Sequence, residues 1–442
     1  MGFLGIVNSD EEIKKNLELV FKQNPRVGYD LRFLTKETEI LDFLSYDLPE
    51  LVIINFSDPV IDIDSVVSHI RDDERILNFG ILGIFSGDRD NEETLLKKYK
   101  AINVLAMLDN YRLRSHIIKN IQIIEQNYQI IFQREFSRNL LDGASGSFTI
   151  ENDILAVPLY AGIGATILAQ RGLINPDNKM HLQLALGELI VNAVEHGNCG
   201  ITYEEKSEAL ENGLSVVDLV ALKCKDPAVR AKRVEFLWDI QPDKTVFTIR
   251  DEGKGFDVKA HLRKIAVQDA MSLHGRGIQM ASALSTELKY NEKGNQVSLI
   301  LKHDTAVEHE IPAGFSHGQV VSVKKGDIVL REDEPSDYLY YIISGNYNVF
   351  HNLKQVGRLS PQDIFMGEIA FLLNQRRSAS VRAEGPGKLV LLTRKTLVNI
   401  IREYPHYGIF LSKLLARRLV RSNDQNAALM EQLRHQDRET RG

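Results

Sequence analysis

The stretch GELIVNAVEHGN, residues 187–198, combines two different faces on one predicted helix. Glu188, Asn192 and His196 recur every four residues and form a polar stripe. The opposite side is apolar, as a core-facing helix requires, with Leu182, Leu186, Ile190 and Val194. A solvated helix face is the simplest interpretation of this stripe alone. The motifs that surround it decide whether it is a surface or a site.

The length and composition of the chain indicate a multidomain globular protein. A chain of 442 residues is too long for one core, so we expect two to four domains. A net charge of −6 argues against a dedicated nucleic-acid binder. The two cysteines, Cys199 and Cys224, suggest no disulfide framework and fit a reducing compartment. The N-terminus lacks signal-peptide features and no apolar run is long enough to span a bilayer, so we expect a cytoplasmic protein without membrane contact.

The first 125 residues alternate short apolar runs with amphipathic stretches, which is typical of a parallel sheet covered by helices. Five runs are strand candidates, at 3–7, 31–34, 50–56, 79–85 and 102–108. Their number and spacing resemble the flavodoxin-like fold of response-regulator receiver domains. The resemblance predicts a receiver-like domain over residues 1–125.

The phosphotransfer chemistry of a receiver is missing from the matching positions. Asn8 follows the first strand in place of the family's acidic pair, and Asn55 ends the third in place of its aspartate. Asp109 follows the fifth strand, where the family has a lysine. Too little negative charge remains to hold Mg²⁺, so we interpret the domain as a pseudo-receiver that acts through protein contacts. Asp10 or Asp58 as a substitute phosphoacceptor is the alternative.

Residues 126–150 begin with a helical pattern and then become small and polar (DGASGS). This shift in composition predicts a helical linker and a domain boundary.

Three further motifs follow the opening stripe in order. The stretch TVFTIRDEGKGFD (245–257) runs from a strand into Asp251, Gly253 and Gly255. LHGRGIQMASAL (273–284) opens a helix with Gly275 and Gly277, and KGNQVSLILK (293–302) is a turn before a strand. This order resembles the GHKL ATPase superfamily, whose Bergerat fold is an α/β sandwich, and within it the serine kinases that act as anti-sigma factors. The resemblance covers residues 151–305.

The resemblance implies a role for each matched residue. Asn192 would ligate Mg²⁺ and Asp251 would accept the adenine amino hydrogen, while Glu188 would act as general base towards an attacking hydroxyl. Gly253 and Gly255 would let the backbone approach the base of ATP closely. The amides of residues 275–277, at a helix N-terminus, would bind phosphate.

Several neighbouring residues remain open at this point. His196 matches a family position near the metal site, and a structural histidine is the alternative. Arg276 contacts phosphate or is simply exposed, and Glu195 is expected to be a charge on the helix face. Residues 201–236 form an unusually long, helically patterned insertion before the strand at 245, which we interpret as a cap or a surface for docking a partner.

From residue 310 to 435 the chain changes to short strands and turns followed by a helical pattern. Within it, MGEIAFLLNQRRSASV (366–381) resembles the phosphate-binding cassette of cyclic-nucleotide-binding domains, a β-roll with C-terminal helices. Glu368 would bind the ribose 2′-hydroxyl, and Arg377 would pair with the cyclic phosphate through its planar fork. Further contacts would come from Gly367, Ile369, Ala370, Ser378 and Ala379.

One alternative and one departure from the family accompany this interpretation. Glu368 and Arg377 pairing with each other on a surface is the alternative to a ligand site. Asp333 stands near a position where the family often has glycine. cAMP is the commoner family ligand and is expected over cGMP. No helix-turn-helix motif follows, so we expect no direct DNA binding.

Together the resemblances predict a multidomain α/β and α+β signalling protein, a cyclic-nucleotide-regulated protein kinase of the anti-sigma type. Its partner would be an antagonist-like substrate or a sigma-factor-like target, and a homodimer is one expectation because both families often dimerise. A histidine kinase is the first alternative, because SHIIKNIQII (115–124) echoes a phosphoacceptor helix with His116 as acceptor. A non-catalytic ATP-binding switch is the second; Glu188 argues against it, because binding alone needs no base.

Overall fold

The residues that a computed structural model of the chain describes are 2–73, 77, 79–127, 144–241, 243–258, 287–303, 311–316, 318–416 and 419. They form three packed units, taken below in chain order.

A parallel sheet of five strands forms the N-terminal unit. Its strands are β1 (Gly2–Val7), β2 (Tyr29–Leu34), β3 (Leu51–Asn55), β4 (Gly80–Phe85) and β5 (Val104–Asp109). Its helices are α1 (Glu11–Gln23), α2 (Glu37–Asp42), α3 (Ile63–Asp72), α4 (Glu92–Lys98) and α5 (Leu113–Gln126). The strand order, β2-β1-β3-β4-β5, is that of flavodoxin-like folds. β3 and β4 are buried along their whole length because helices cover both faces of the sheet, which confirms the predicted parallel α/β architecture.

An antiparallel sheet forms the second unit. Its strands are β6 (Ala144–Ile150), β7 (Val234–Ile240), β8 (Lys244–Arg250), β9 (Glu287–Tyr290) and β10 (Gln296–Lys302), in the order β6-β7-β8-β10-β9. Helices α6 (Val157–Gln170) and α7 (Pro176–Asn192) pack on each other and on this sheet. Burial alternates along β7, β8 and β10, so one face of the sheet meets the helices.

The structure corrects two predicted boundaries. Residues 144–150 are not linker, because β6 pairs with β7 along its full length. The small residues that suggested a linker have a packing reason: a Cβ on Gly146 would lie 2.2 Å from Cζ2 of Trp238. Helix α5 ends at Gln126, and residues 128–143 lie outside the described part of the chain. The predicted insertion 201–236 is helical but ends earlier, because its last three residues begin β7.

The insertion consists of three short helices, α8 (Tyr203–Glu211), α9 (Val216–Lys223) and α10 (Pro227–Ala231). Reciprocal capping boxes, Thr202 with Glu205 and Ser215 with Asp218, begin the first two.

Two four-stranded sheets form the third unit, a β-roll. Their orders are β11-β18-β13-β16 and β12-β17-β14-β15. The strands are β11 (Gln319–Val323), β12 (Ile328–Leu330), β13 (Tyr338–Ser344), β14 (Tyr347–His351), β15 (Lys354–Leu359), β16 (Phe365–Met366), β17 (Ser380–Ala383) and β18 (Gly387–Thr393). Helix α11 (Glu368–Leu373) lies between β16 and β17, and α12 (Arg394–Glu403) and α13 (406–416) follow β18.

The N-terminal unit shares a hydrophobic core with each of the other two. One core joins its α1 and α5 face to the helices and sheet of the second unit. Another joins its α2, α3 and α4 face to the β-roll and its C-terminal helices. The α/β unit therefore lies between the other two and contacts both.

Candidate functional site

Helix α7 carries the polar stripe predicted from the sequence. Asn175 caps its N-terminus by accepting the backbone N–H of Asn178 at 2.8 Å, and Pro176 occupies the first turn. Glu188 and Asn192 are both exposed, whereas the opposite, apolar face is buried. The two side chains lie one turn apart, so they present carboxylate and amide oxygens on the same surface.

The helix continues into a π-helical turn, Ala193–Asn198, that touches the loop after β8. A Cβ on Gly197 would lie 2.4 Å from Cγ of Asp251, and a Cβ on Gly253 would lie 2.3 Å from the carbonyl oxygen of Gly197. Only residues without a side chain allow two backbones to approach this closely. The structure therefore brings the predicted helix and the first glycine loop into direct contact.

Asp251 is the buried acid of this loop. Its Oδ1 accepts the backbone N–H of Gly253 at 2.8 Å. Burial raises the pKa of Asp251, and the Gly253 hydrogen bond and the charge of Lys293 oppose that rise. A carboxylate fixed at the end of a strand and shielded from water is a strong acceptor for an amino group such as that of adenine.

The Gly294–Asn295 turn packs against the same loop. The backbone N–H of Asp251 donates to the carbonyl of Asn295 at 3.0 Å, and Asn295 Nδ2 donates back to the Asp251 carbonyl at 2.8 Å. Gly255 has a φ of +77°, and a Cβ there would lie 1.9 Å from the Lys293 carbonyl oxygen. Three of the four predicted motifs therefore meet. The residues of the fourth, Gly275, Arg276 and Gly277, lie outside the described residues.

Asn198 is a residue of this site that the sequence argument missed. It is buried, its Oδ1 accepts the backbone N–H of Glu252 at 2.8 Å, and its Nδ2 donates to Asn152 Oδ1 at 2.8 Å. Lys232 Nζ donates to the Asn198 carbonyl at 2.9 Å. Asn198 thus joins the end of the helix to the glycine loop. The sequence feature that could have indicated this residue is its position at the end of the stretch 187–198, directly after a glycine.

Two predictions about neighbouring residues change. Glu195 is not a charge on the helix face: it is buried and pairs with Lys206 Nζ of the insertion at 2.7 Å, because the π-helical turn rotates it inwards. His196 Nδ1 lies 2.6 Å from the Ile201 carbonyl oxygen and therefore donates to it. Its ring packs on Tyr203 with the centroids 4.9 Å apart. These contacts favour the structural alternative for His196.

The second candidate site surrounds helix α11 of the β-roll. Gly367 precedes the helix with a φ of +76°, a conformation that favours glycine. Glu368 and Arg377 are 5% and 4% exposed, so the alternative of a surface ion pair is wrong. Ala370 is buried, and its carbonyl accepts the Ser336 hydroxyl at 2.9 Å. The other predicted contacts lie nearer the surface: Ile369 and Ser378 are exposed and Ala379 is half-buried.

Backbone carbonyls hold the guanidinium of Arg377 in place. One of its terminal nitrogens donates to Gly367 O at 2.7 Å, and the other donates to the carbonyl of Tyr338. Burial lowers the pKa of Arg377, whereas Tyr340 and nearby carboxylates raise it. A buried guanidinium whose terminal nitrogens are fixed by two carbonyls is a planar cation that suits an anionic ligand such as a phosphate.

Asp333, which stands where the resembled family often has glycine, has a φ of +66°. Aspartate tolerates this left-handed conformation better than most residues. The Asp333 N–H donates to the Arg377 carbonyl at 2.9 Å. The loop that contains Asp333 therefore stays hydrogen-bonded to the cassette although aspartate replaces glycine.

The carboxyl edge of the N-terminal sheet is occupied by neutral amides. Asn55 Nδ2 donates to Asn8 Oδ1 at 2.9 Å, and both residues are buried. The two alternative phosphoacceptors already have structural roles. Asp58 accepts hydrogen bonds from Ser9 and from two backbone N–H groups of its own loop, and Asp10 caps α1.

His116, the acceptor in the histidine-kinase alternative, lies on α5 of the N-terminal unit. Its side chain is 18% exposed, with Nε2 at 3.9 Å from Asp153 Oδ1 and Nδ1 at 2.6 Å from the hydroxyl of Ser115. Lys119 on the same helix pairs with both Glu151 and Asp153. These contacts join the first two units and do not expose a phosphoacceptor.

Comparison with known proteins identifies the domains of both sites. Residues 161–301 match the family of histidine kinase-like ATPase domains, and residues 320–404 match the family of cyclic nucleotide-binding domains. The chain is therefore a multidomain protein with an ATPase-like domain and a domain for a cyclic nucleotide. The receiver assignment of the N-terminal unit is not among the matches and stays a prediction.

Individual relatives share only part of the chain. The Pycsar effector protein BcPycTIR of Burkholderia cepacia is 31% identical over 117 residues, which are 26% of this chain and 38% of that protein. A cAMP-dependent protein kinase type II regulatory subunit of Drosophila melanogaster is 37% identical over 79 residues, 18% of this chain and 21% of its own length. A crystal structure of the Thermus thermophilus catabolite activator protein is 28% identical and covers 27% of this chain and 57% of its own, with a TM-score of 0.25. The chain thus spans less than half of the length of these two curated relatives.

Among the described residues, no helix is both long enough and apolar enough to cross a bilayer.

Proposed function

We propose that this chain is a cyclic-nucleotide-regulated protein kinase of the anti-sigma-factor serine/threonine type, acting in bacterial signal transduction. The observation that carries the proposal is the contact between the end of α7 and the Asp251 loop. Glu188 and Asn192 lie on the exposed face of the helix that leads into this contact, and we assign adenine to the Asp251 loop. An acid and an amide beside a bound nucleotide are the groups that phosphoryl transfer to a hydroxyl needs.

Asn192 is the residue that would hold Mg²⁺. Its amide oxygen is a hard ligand on an exposed helix face, which fits an ion that keeps most of its waters and phosphate ligands. Bound there, Mg²⁺ would neutralise charge on the phosphates of ATP.

Glu188 would act as the general base. The serine or threonine oxygen of the substrate forms the new bond to the γ-phosphorus as its proton passes to Glu188. The bond between the γ-phosphorus and the β–γ bridging oxygen breaks, and ADP leaves with the electron pair. The carboxylate lies on the exposed face of α7, which is the side from which a protein substrate would approach.

The insertion supports a protein substrate, as an antagonist-like or sigma-factor-like partner would be. Leu210, Leu214 and Leu222 on α8, α9 and the loop between them are 54%, 46% and 51% exposed. Tyr203 of the same segment packs on His196 at the end of α7. Exposed apolar side chains on a segment that contacts the turn after α7 are the kind of surface that a protein partner covers.

The β-roll would supply the regulation. Glu368 would bind the ribose 2′-hydroxyl and Arg377 the cyclic phosphate, with cAMP as the expected ligand over cGMP. The cyclic nucleotide can change the rate of phosphotransfer only if it binds two arrangements of the chain with different affinities. The ratio of these affinities limits the size of the effect.

Labelled ATP tests the phosphotransfer. The full chain is incubated with Mg²⁺, γ-labelled ATP and a serine- and threonine-containing peptide library, and both label transfer and binding of a non-hydrolysable ATP analogue are measured. Glu188→Gln is expected to keep analogue affinity but to lower transfer by about 10²- to 10⁴-fold. Glu18→Gln, which changes an exposed acid of α1 outside both proposed sites, serves as the matched control.

The same experiment separates the alternatives. An acid-labile label that His116→Ala removes would show a histidine kinase instead. Analogue binding with no transfer, unaffected by Glu188→Gln, would show a non-catalytic switch. If the ATP analogue does not bind, the proposed ATP site is wrong.

A further inference from the structure

Asp73, at the end of α3, forms a buried contact with the C-terminal helices of the β-roll. Its Oδ2 lies 2.9 Å from His406 Nε2, and its Oδ1 accepts the hydroxyl of Tyr407. All three residues are buried, with 6%, 6% and 3% of their surfaces exposed. Burial raises the pKa of Tyr407, so its hydroxyl remains a hydrogen-bond donor. We name this group, Asp73, His406 and Tyr407, the latch.

Two further contacts fix helix α13 next to the latch. Lys413 Nζ donates to the carbonyls of Asp47 and Leu48, where the turn after α2 ends in a left-handed residue. The ring of Tyr407 packs on Phe315 with the centroids 4.9 Å apart. A continuous apolar core covers the same interface.

The latch is connected to the phosphate cassette through α12. Arg394, the first residue of α12, donates to Asn374 Oδ1 at 3.2 Å, directly after α11. Its guanidinium carbon lies 4.5 Å from the centroid of the Phe371 ring on α11. Helix α12 leads through Pro405 into α13 and the latch. A change in the cassette helix thus has a contiguous route to Asp73.

On its other side, the latch connects to the sheet and to α7. The carbonyl of Asp73 accepts the N–H of Leu77 at 2.9 Å, just before β4, and Ile81 of β4 donates to the carbonyl of Asn103 at 3.0 Å. Asn103 Oδ1 accepts Lys179 Nζ of α7 at 2.9 Å and the hydroxyl of Thr166 at 3.1 Å.

Helix α7 itself is held against β5. Gln183 Nε2 donates to the Leu105 carbonyl at 3.4 Å, and a Cβ on Gly162 of α6 would lie 1.8 Å from the same carbonyl oxygen. Gln183 precedes Glu188 by five positions, about 7.5 Å along the helix axis. The half of α7 that carries Lys179 and Gln183 is therefore anchored to the N-terminal sheet, and the half that carries Glu188 reaches the ATP site.

From these contacts we propose that the N-terminal α/β unit relays the state of the cyclic-nucleotide domain to helix α7, with the latch as its input and Asn103 as its output. The inference rests on the proposed function, since it assigns the route between the two nucleotide sites. It also gives the unit a role that needs no phosphorylation. Each end is a polar contact with buried side chains, Asp73 and His406 at the latch and Lys179 and Thr166 at the half-buried Asn103. Such contacts are either made or broken and therefore suit a two-state element.

Linked binding measurements test the relay. Calorimetry on the full chain gives the Kd of a non-hydrolysable ATP analogue without and with saturating cAMP, and the ratio of the two is the coupling factor. For the unaltered chain we expect a factor of about 5 or more in either direction. Reciprocity requires the same factor for cAMP affinity without and with the analogue.

Variants of the latch isolate its contribution. Asp73→Ala is expected to bring the coupling factor below about twofold while both nucleotides still bind. Asp72→Ala removes a neighbouring acid whose side chain is 63% exposed and is expected to keep the original factor. Tyr407→Phe removes a single hydroxyl and decides the question if Asp73→Ala does not fold. Lys179→Met removes the contact of α7 with Asn103 and tests the output end in the same way.

Two failures are distinguishable. If the unaltered chain couples the nucleotides and the latch and Lys179 variants keep the full factor, the relay is wrong and the proposed function stands. If the unaltered chain binds neither nucleotide, or binds both without coupling, the proposed regulation is wrong and the relay with it.

Discussion

At the residue scale, Asp251 combines burial with a fixed acceptor geometry. We expect Asp251→Ala to raise the Kd of a non-hydrolysable ATP analogue by about 10- to 100-fold, because a charged hydrogen bond contributes about 1.5–3 kcal/mol. Asp257→Ala, which changes an exposed acid of the same loop, is the control. Calorimetry on both variants checks the prediction, and equal affinities would place adenine elsewhere.

Arg377 tests the cassette at the same scale. Lysine would keep the charge but lose the planar fork, which reaches the carbonyls of Gly367 and Tyr338 and would bind the cyclic phosphate. We expect Arg377→Lys to weaken cAMP binding by at least about tenfold. Arg376→Lys changes the exposed neighbour and should bind like the unaltered chain. Equal losses in the two variants would contradict the assignment.

His69 lies near the interface with the β-roll, and its titration should make the stability of the chain depend on pH. Burial lowers the pKa of His69 and nearby His406 lowers it further, while Asp73 and Asp72 oppose the shift. The unfolded chain, with an ordinary histidine pKa near 6.5, therefore binds more protons, so the free energy of unfolding falls as pH drops through about 6.5. His69→Gln should lose part of this dependence in melting curves between pH 7.5 and 5.5. Identical pH profiles for His69→Gln and the unaltered chain would refute the prediction.

At the scale of elements, two helical glycines should respond in opposite directions. A Cβ on Gly187 meets only Ala161 at 3.9 Å, so Gly187→Ala is expected to stabilise the chain by about 1 kcal/mol through helix propensity. A Cβ on Gly162 would overlap the Leu105 carbonyl of β5, so Gly162→Ala should destabilise by about 1–3 kcal/mol. Denaturant unfolding measures both. A stabilised Gly162→Ala chain would show that α6 does not pack on β5 as described.

The elements also show what a sequence can predict. The strands of the parallel sheet were predictable because buried strands are continuous apolar runs, as in LVIIN of β3. Strand β6 was not predictable, because its small residues resemble the composition of a linker. Gly146 is small because a side chain there would overlap Trp238, and this tertiary contact does not show in the sequence. The inward rotation of Glu195 depends on a π-helical turn that no side-chain period indicates. The meeting of the opening helix, the first glycine loop and the Gly294–Asn295 turn was predictable, because their glycines permit the contacts between them.

At the scale of the whole molecule, the sequence predicts the division of the chain into units. It does not predict how these units are arranged. Asp73 and His406 are 333 residues apart, and neither belongs to a recognisable motif. The partnership of two such residues depends on the packing of complete domains. The arrangement places the N-terminal unit between the two nucleotide sites, which is why the cyclic-nucleotide domain is expected to act through it.

ATP turnover by the full chain during a titration with cAMP, and separately with cGMP, tests the central claim most directly. The account predicts that one of the two changes the rate in a saturable way over the concentration range in which calorimetry shows it to bind. Arg377→Lys should shift that response to higher ligand concentration. A ligand that binds while turnover stays constant, or the absence of binding by both, would contradict control of the ATP site by a cyclic nucleotide.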